Sequence, residues 1–289
     1  MKKILFAFLL SSFSCLSVAT PLKVVYANLQ GRDPQRQFSF AVLNLALEKS
    51  GLDVELVKSS QSMTDARAIV EIMNKNIDVA WLGNSAEVES QLWPIMIPIS
   101  RGLLGYRIPV IRTDLQSRFN QVKTLADLQK FQACLGVGWP IATAWDDNAL
   151  PVTAVGTFES LFKMTISGRM DYIPFGAGSV HGYVKQYAED NPALMIDQHV
   201  VIVYPYYDFF FFVNKENKIL HEAIEMGFKK AYEDGSYRDL FLSHPEFAGL
   251  KSLQLEKRQS IRLKNIHVTP QDIEIKSKYW INPQTPFLF

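Results

Sequence analysis

Five histidines, His181, His199, His221, His244 and His267, are the first side chains to test for chemistry. A zinc site would set two of them a few residues apart on one helix, or pair them with cysteines at short spacing. No such spacing occurs, so a metal is not expected. Cys134 lies between Ala133 and Leu135 and reads as a small buried hydrophobe rather than a nucleophile. The chain has no Gly-x-Ser-x-Gly elbow and no phosphate loop. Gly176-Ala177-Gly178-Ser179 is glycine-rich but short, and reads as the freed start of a helix. Asp146-Asp147 reads as part of a solvated loop. These residues argue for no catalysis and no cofactor. The side chains left for recognition are aromatic, with arginine for any anion; Arg36, Arg101 and Arg107 fall nearest the expected cleft or hinge.

The elements that would position them alternate between strand and helix. Residues 23–27 (KVVYA) form a short β-rich run, followed by a polar loop with Gly31, Asp33 and Pro34. A helix over 40–49 has Ser39 as N-cap and Gly51 as its stop. Strand 53–57, a helix capped by Thr64 and strand 77–82 follow. Two β-α-β units in a row predict a parallel sheet with right-handed crossovers. Strand 106–111 then leads elsewhere. A helix opens at Thr124, with Asp127 at capping-box spacing. Strands 133–137 and 152–155, helix 158–167 and strand 169–174 complete a second α/β unit. The run 200–213 carries the chain back, with Tyr204, Tyr206 and Tyr207 at the hinge, and helix 217–233 ends at Gly235. After Pro245 the chain is polar and loop-rich, with a short strand or helix near 253–263.

The expected architecture is two α/β lobes, each a mostly parallel sheet flanked by helices, joined by two hinge crossings. Residues 20–105 and 208–289 form the first lobe, and 106–207 the second. Ligands in open α/β sheets sit at the carboxyl ends of strands, and clefts between lobes favour them. That rule selects Trp81, Gly83, Asn84 and Ser85 in the first lobe and Trp139 and Phe175 in the second, with Arg107 beside the hinge. The aromatic members would wall a pocket suited to flat, apolar or cationic ligands. Each could equally pack in a lobe core.

The first residues predict export. Met1-Lys2-Lys3 is basic, 4–10 (ILFAFLL) is apolar, and Ser17-Val18-Ala19 supplies small residues for a cut after Ala19. The apolar run is far short of the roughly 20 residues of a spanning helix. Removing 19 of 289 residues, with Lys2 and Lys3 among them, leaves 270 and takes the formal charge from +1 to −1. Such a balance gives no support for nucleic-acid binding. The single cysteine left, Cys134, allows no internal disulfide. A periplasmic monomer is expected.

Three stretches in this order resemble the type II periplasmic solute-binding proteins of extracellular family 3, above all the amino-acid-binding branch. They are 77–85 (IDVAWLGNS), 122–128 (VKTLADL), and 211–220 with 233–237 (EDGSY). The resemblance implies a small-molecule ligand trapped by hinge closure and read by a membrane transporter or sensor subunit. It also implies an arginine fork for a ligand carboxylate, but that position falls on Glu89 or Ser90 here. The family's acid for the ligand amine falls on Gly176, and its second-lobe Gly-Thr turn is replaced by Gly138-Trp139-Pro140. An amino-acid ligand is therefore not expected. Dehydratases on the same fold would need a buried acid such as Glu87 or Asp171.

Overall fold

The structure, a computed structural model, describes residues 20–29, 37–188 and 191–282. The expected signal segment 1–19, the loop residues Gly31, Asp33 and Pro34, and Arg36 lie outside the described residues. In chain order the first lobe contains β1 (Leu22–Leu29), α1 (Phe38–Ser50), β2 (Val54–Met63), α2 (Asp65–Met73), β3 (Val79–Gly83), α3 (Ala86–Gln91) and β4 (Trp93–Pro94). The second contains β5 (Tyr106–Arg112), α4 (Gln116–Phe119), α5 (Leu125–Leu128), β6 (Ala133–Gly136), α6 (Ala142–Asp147) and β7 (Val152–Val155). It continues with α7 (Phe158–Ile166), β8 (Tyr172–Gly176), α8 (Val180–Ala188), β9 (Leu194–Ile196) and β10 (Val200–Val203). The chain then returns through β11 (Phe209–Val213), α9 (Lys218–Glu233), α10 (Ser236–Ser243), β12 (Gln259–Arg262) and α11 (Pro270–Glu274).

Two sheets result. The first runs β2-β1-β3-β11-β4, the second β12-β10-β5-β8-β6-β7 with β9 beside β5. Both are mixed rather than mostly parallel. β1 pairs in parallel with β2 and β3, while β11 is antiparallel to β3 and β4. In the second sheet β6 is parallel to β7 and β8, and β12 to β10, but β5 is antiparallel to β8, β9 and β10. The antiparallel members include the strands at the crossings, β5, β10 and β11. A strand entering or leaving a lobe need not share the direction that a helical crossover imposes.

Local chemistry sets most boundaries. Thr64 and Thr157 cap α2 and α7 by accepting from Arg67 N–H and Ser160 N–H, and Thr124 with Asp127 closes a capping box on α5. Gly51 (φ 78°) stops α1 in the left-handed conformation that glycine takes without strain. α1 begins at Phe38 and not after Ser39. Its first N–H donates to Glu246 Oε2 at 2.9 Å, from more than 200 residues further along the chain. β3 (VAWLG) is buried throughout and β11 (FFFFV) nearly so, as expected of strands covered on both faces.

The segment after α10 departs from the expected domain boundary. Residues 259–262 form an outer strand of the second sheet, paired in parallel with β10. Arg258 anchors the approach: its guanidinium donates to the carbonyls of Leu253, Asp197 and Val200 and lies 3.7 Å from the Asp197 carboxylate. Beyond β12, Lys264 is clasped from both sides by the Asn148 side chain, and Asn265 bonds Tyr204 and Pro205. The chain then returns to the first lobe, where Asp272 accepts from Asn84 and Ile281 N–H donates to Arg101 O. Among the described residues it therefore passes between the lobes four times, not twice. The last two passages form a strap over them, because β12 completes an edge that β10 would otherwise present to solvent.

Candidate functional site

The two inner crossings lie side by side. Tyr204 N–H donates to Gly105 O at 2.9 Å, and Gly105 N–H to Gly102 O at 3.0 Å. Gly105 leaves no room for a side chain: a Cβ there would lie 3.0 Å from the Tyr207 carbonyl oxygen and closer still to that of Tyr204. The Asp208 carboxylate ties the crossings together. It accepts from Ser100 N–H (2.8 Å), Ser100 Oγ (2.6 Å), Gly102 N–H (2.7 Å) and Phe209 N–H (2.9 Å). It is fully buried, and burial raises its pKa to about 6 despite these donors.

Above this hinge a cavity of about 170 Å³ opens between the lobes. The first lobe contributes the N-terminus of α1, Gln37 to Ser39, with Asp65, Ser100 and Phe209. The second contributes Arg107, Trp139, Phe175, Ser179 and Tyr183, and the hinge adds Leu103, Leu104 and Tyr207. Glu246 and Phe247 close one side from the start of the strap. Phe247 packs 4.6 Å from Phe38 in the first lobe, ring to ring, and fills the space a side chain on Gly178 of the second lobe would need.

Three of the seven predicted site residues line this cavity: Arg107, Trp139 and Phe175. Trp139 follows β6 and lies flat on Gly136, whose missing side chain makes room for the indole; a Cβ there would be 2.5 Å from its ring. Phe175 is at the carboxyl end of β8, 6.2 Å from Trp139. Arg107 is buried in β5, with Nε donating to Pro174 O and Nη1 to Leu104 O, each at 3.0 Å.

Trp81, Gly83, Asn84 and Ser85 stand one layer behind. Trp81 Nε1 donates to Gln37 Oε1 at 2.7 Å and so fixes a lining residue. Gly83 admits the Tyr207 side chain, whose hydroxyl a Cβ would meet at 2.6 Å. Asn84 donates to Tyr206 O and Asp272 Oδ1 and accepts from Asp208 N–H. Ser85 caps α3. The carboxyl-end rule misses here because the returning crossing lies over the end of β3, with Asn84 N–H donating to Asp208 O.

Glu87 and Asp171 are outside the cavity: Glu87 is exposed on α3, and Asp171 accepts Gln132 N–H beside β6. Cys134 is buried and burial pushes its thiol up to about 11, far from a reactive thiolate. Among the described residues no cluster of three metal-ligating side chains occurs, and no helix is long and apolar enough to cross a membrane. Sequence reasoning missed Phe38, Asp65, Glu246 and Phe247. Asp65 opens a helix at a legible boundary, just after the Thr64 cap, and helix starts near strand ends were the available signal; Phe38 opens α1 ahead of the start expected from Ser39. Nothing local marks Glu246 or Phe247, which reach the cavity only through the strap.

No protein-family model matches the chain, and no curated protein matches it in sequence. Solved structures do. An ancestral arginine-binding protein bound to arginine aligns with a TM-score of 0.55 at 20% identity, over 78% of this chain and 98% of the other. An amino-acid ABC transporter substrate-binding protein of Streptococcus pneumoniae, bound to L-arginine, gives 0.55 at 17% identity over 77% and 94%. An ancestral amino-acid-binding protein described as a precursor of cyclohexadienyl dehydratase gives 0.53 at 15% over 78% and 95%. The chain thus has the two-lobed α/β fold of the type II periplasmic binding proteins.

Proposed function

We propose that this protein is an exported solute-binding protein: it traps one small molecule between its lobes and presents it to a membrane partner, an ABC-type transporter. The observation that carries this reading is the interlobe cavity, lined from both lobes and seated on a hinge. A ligand there touches both halves at once, so its binding energy favours the closed arrangement over the open one. The likeness to amino-acid ABC substrate-binding proteins supports the same reading; in it the protein acts as a single chain without chemistry on the ligand.

The test is thermal stability against fractionated small-molecule extracts. A ligand at a hundredfold excess over its dissociation constant adds about 2.7 kcal/mol, a rise of several degrees. At least one fraction should raise the Tm reproducibly and release a single compound on denaturation. If no fraction does so, the solute-binding reading fails.

A further inference from the structure

Resting on that reading of the cavity, we propose that the ligand is a small uncharged molecule built on one aromatic or apolar ring with a single polar substituent. The walls favour a ring. On the second-lobe side Trp139, Phe175 and Tyr183 form a continuous aromatic face, with Phe175 and Tyr183 at 4.7 Å and Trp139 and Phe175 at 6.2 Å. Phe209 and Phe38 face it from the first lobe. Trp139 and Tyr183 are only partly buried, so their rings still offer surface to a guest. Aromatic faces pair with other rings in offset or edge-on arrangements. The volume agrees: a dry cavity of about 150 Å³ accepts a benzene, and this one holds about 170 Å³.

The charges argue against an ion. The charged groups among the described lining residues are Arg107, Asp65 and Glu246, and each is engaged within the chain. Arg107 donates to two carbonyls, and Glu246 accepts the first N–H of α1. An ionic ligand group would have to give up its water and compete for partners already in use. Burying a charge on those terms is costly, whereas a ring loses only apolar hydration. One polar substituent has a candidate partner on Tyr183, a lining residue whose hydroxyl enters no hydrogen bond with another described residue. Gly136 sets the geometry, since any side chain there would push the Trp139 indole into the space the ring needs.

The experiment compares uncharged and charged forms of one ring. Purified protein is titrated with p-cresol, benzyl alcohol, toluene and indole, and in parallel with benzoate, benzylamine and L-arginine, following Tm and tryptophan fluorescence. The neutral rings should raise the Tm and bind at least tenfold more tightly than benzoate or benzylamine. Trp139→Ala should weaken them tenfold or more. Tyr183→Phe, which keeps the wall and the fold, should weaken p-cresol severalfold and leave toluene unchanged. Tighter binding of benzoate, benzylamine or L-arginine would overturn the ligand class while leaving solute binding in place. Equal weakening of p-cresol and toluene by Tyr183→Phe would overturn the hydroxyl contact. Silence from every probe and from every extract fraction would remove the solute-binding reading itself.

Discussion

Gly105→Ala tests whether the two inner crossings are packed backbone to backbone as described. Ordinary van der Waals contact for a Cβ begins near 3.4 Å, and this one would meet the Tyr207 carbonyl at 3.0 Å and the Tyr204 carbonyl at less. Neither obstacle is a flexible side-chain tip, so the crossings themselves must separate. Separation stretches the Tyr204 N–H to Gly105 O bond, now 2.9 Å. Losing that bond costs about 1 kcal/mol, and forcing a methyl into a filled site costs about 1–3 kcal/mol. The sum, about 2–4 kcal/mol, lowers the Tm of a chain this long by about 3–7 °C. Thermal unfolding followed by circular dichroism measures it. Gly156→Ala is the matched control, because a Cβ there meets nothing within 4 Å and its backbone is unstrained; it should stay near wild type. A Gly105→Ala protein that melts within about 1 °C of wild type would refute the close approach, since a relaxed overpacked site still costs more than that.

Arg258→Ala removes the anchor of the strap and leaves the buried Asp197 carboxylate uncompensated, so equilibrium denaturation should show a loss of about 3–5 kcal/mol. Limited proteolysis should then cut first between Ser243 and Ile275; an unchanged cleavage pattern would detach the strap from its proposed role. Gly182→Ala, in the exposed first turn of α8 with open space around it, should add about 0.5–1 kcal/mol through helix propensity and a less free unfolded chain. A loss of stability there would mean the site is more crowded than it looks. Glu89 is pushed up to about 7, first by burial and then by the nearby Asp272 carboxylate. Its folded pKa lies above the unfolded one, so its contribution is full below the ordinary glutamate range and is lost as pH rises through about 7. Glu89→Gln should therefore raise the Tm at pH 8 relative to wild type and change it little at pH 5. Parallel pH profiles for the two proteins would contradict that sign.

The alternation of strand and helix was legible because its signals are local. Thr64 and Thr124 cap the helices expected of them, Gly51 and Gly235 turn left-handed where a stop was read, and the phenylalanine run of β11 is a buried strand. The two-lobed plan follows from those elements by short-range rules of connection. On the second-lobe side the carboxyl-end rule also sufficed, since β6 and β8 end at the cavity and deliver Trp139 and Phe175. Other features depended on contacts distant in sequence. The returning crossing over β3 converted Trp81, Gly83, Asn84 and Ser85 from expected ligand contacts into supports for Gln37, Tyr207 and the hinge. The strap carried Glu246 and Phe247 into the cavity wall from a stretch with no periodicity of its own. Hydrophobic period and cap chemistry act within a few residues and so are written in the sequence. Which side chain reaches a cleft depends on how whole elements stack, and that is decided only when pairings such as β12 on β10 close across the chain.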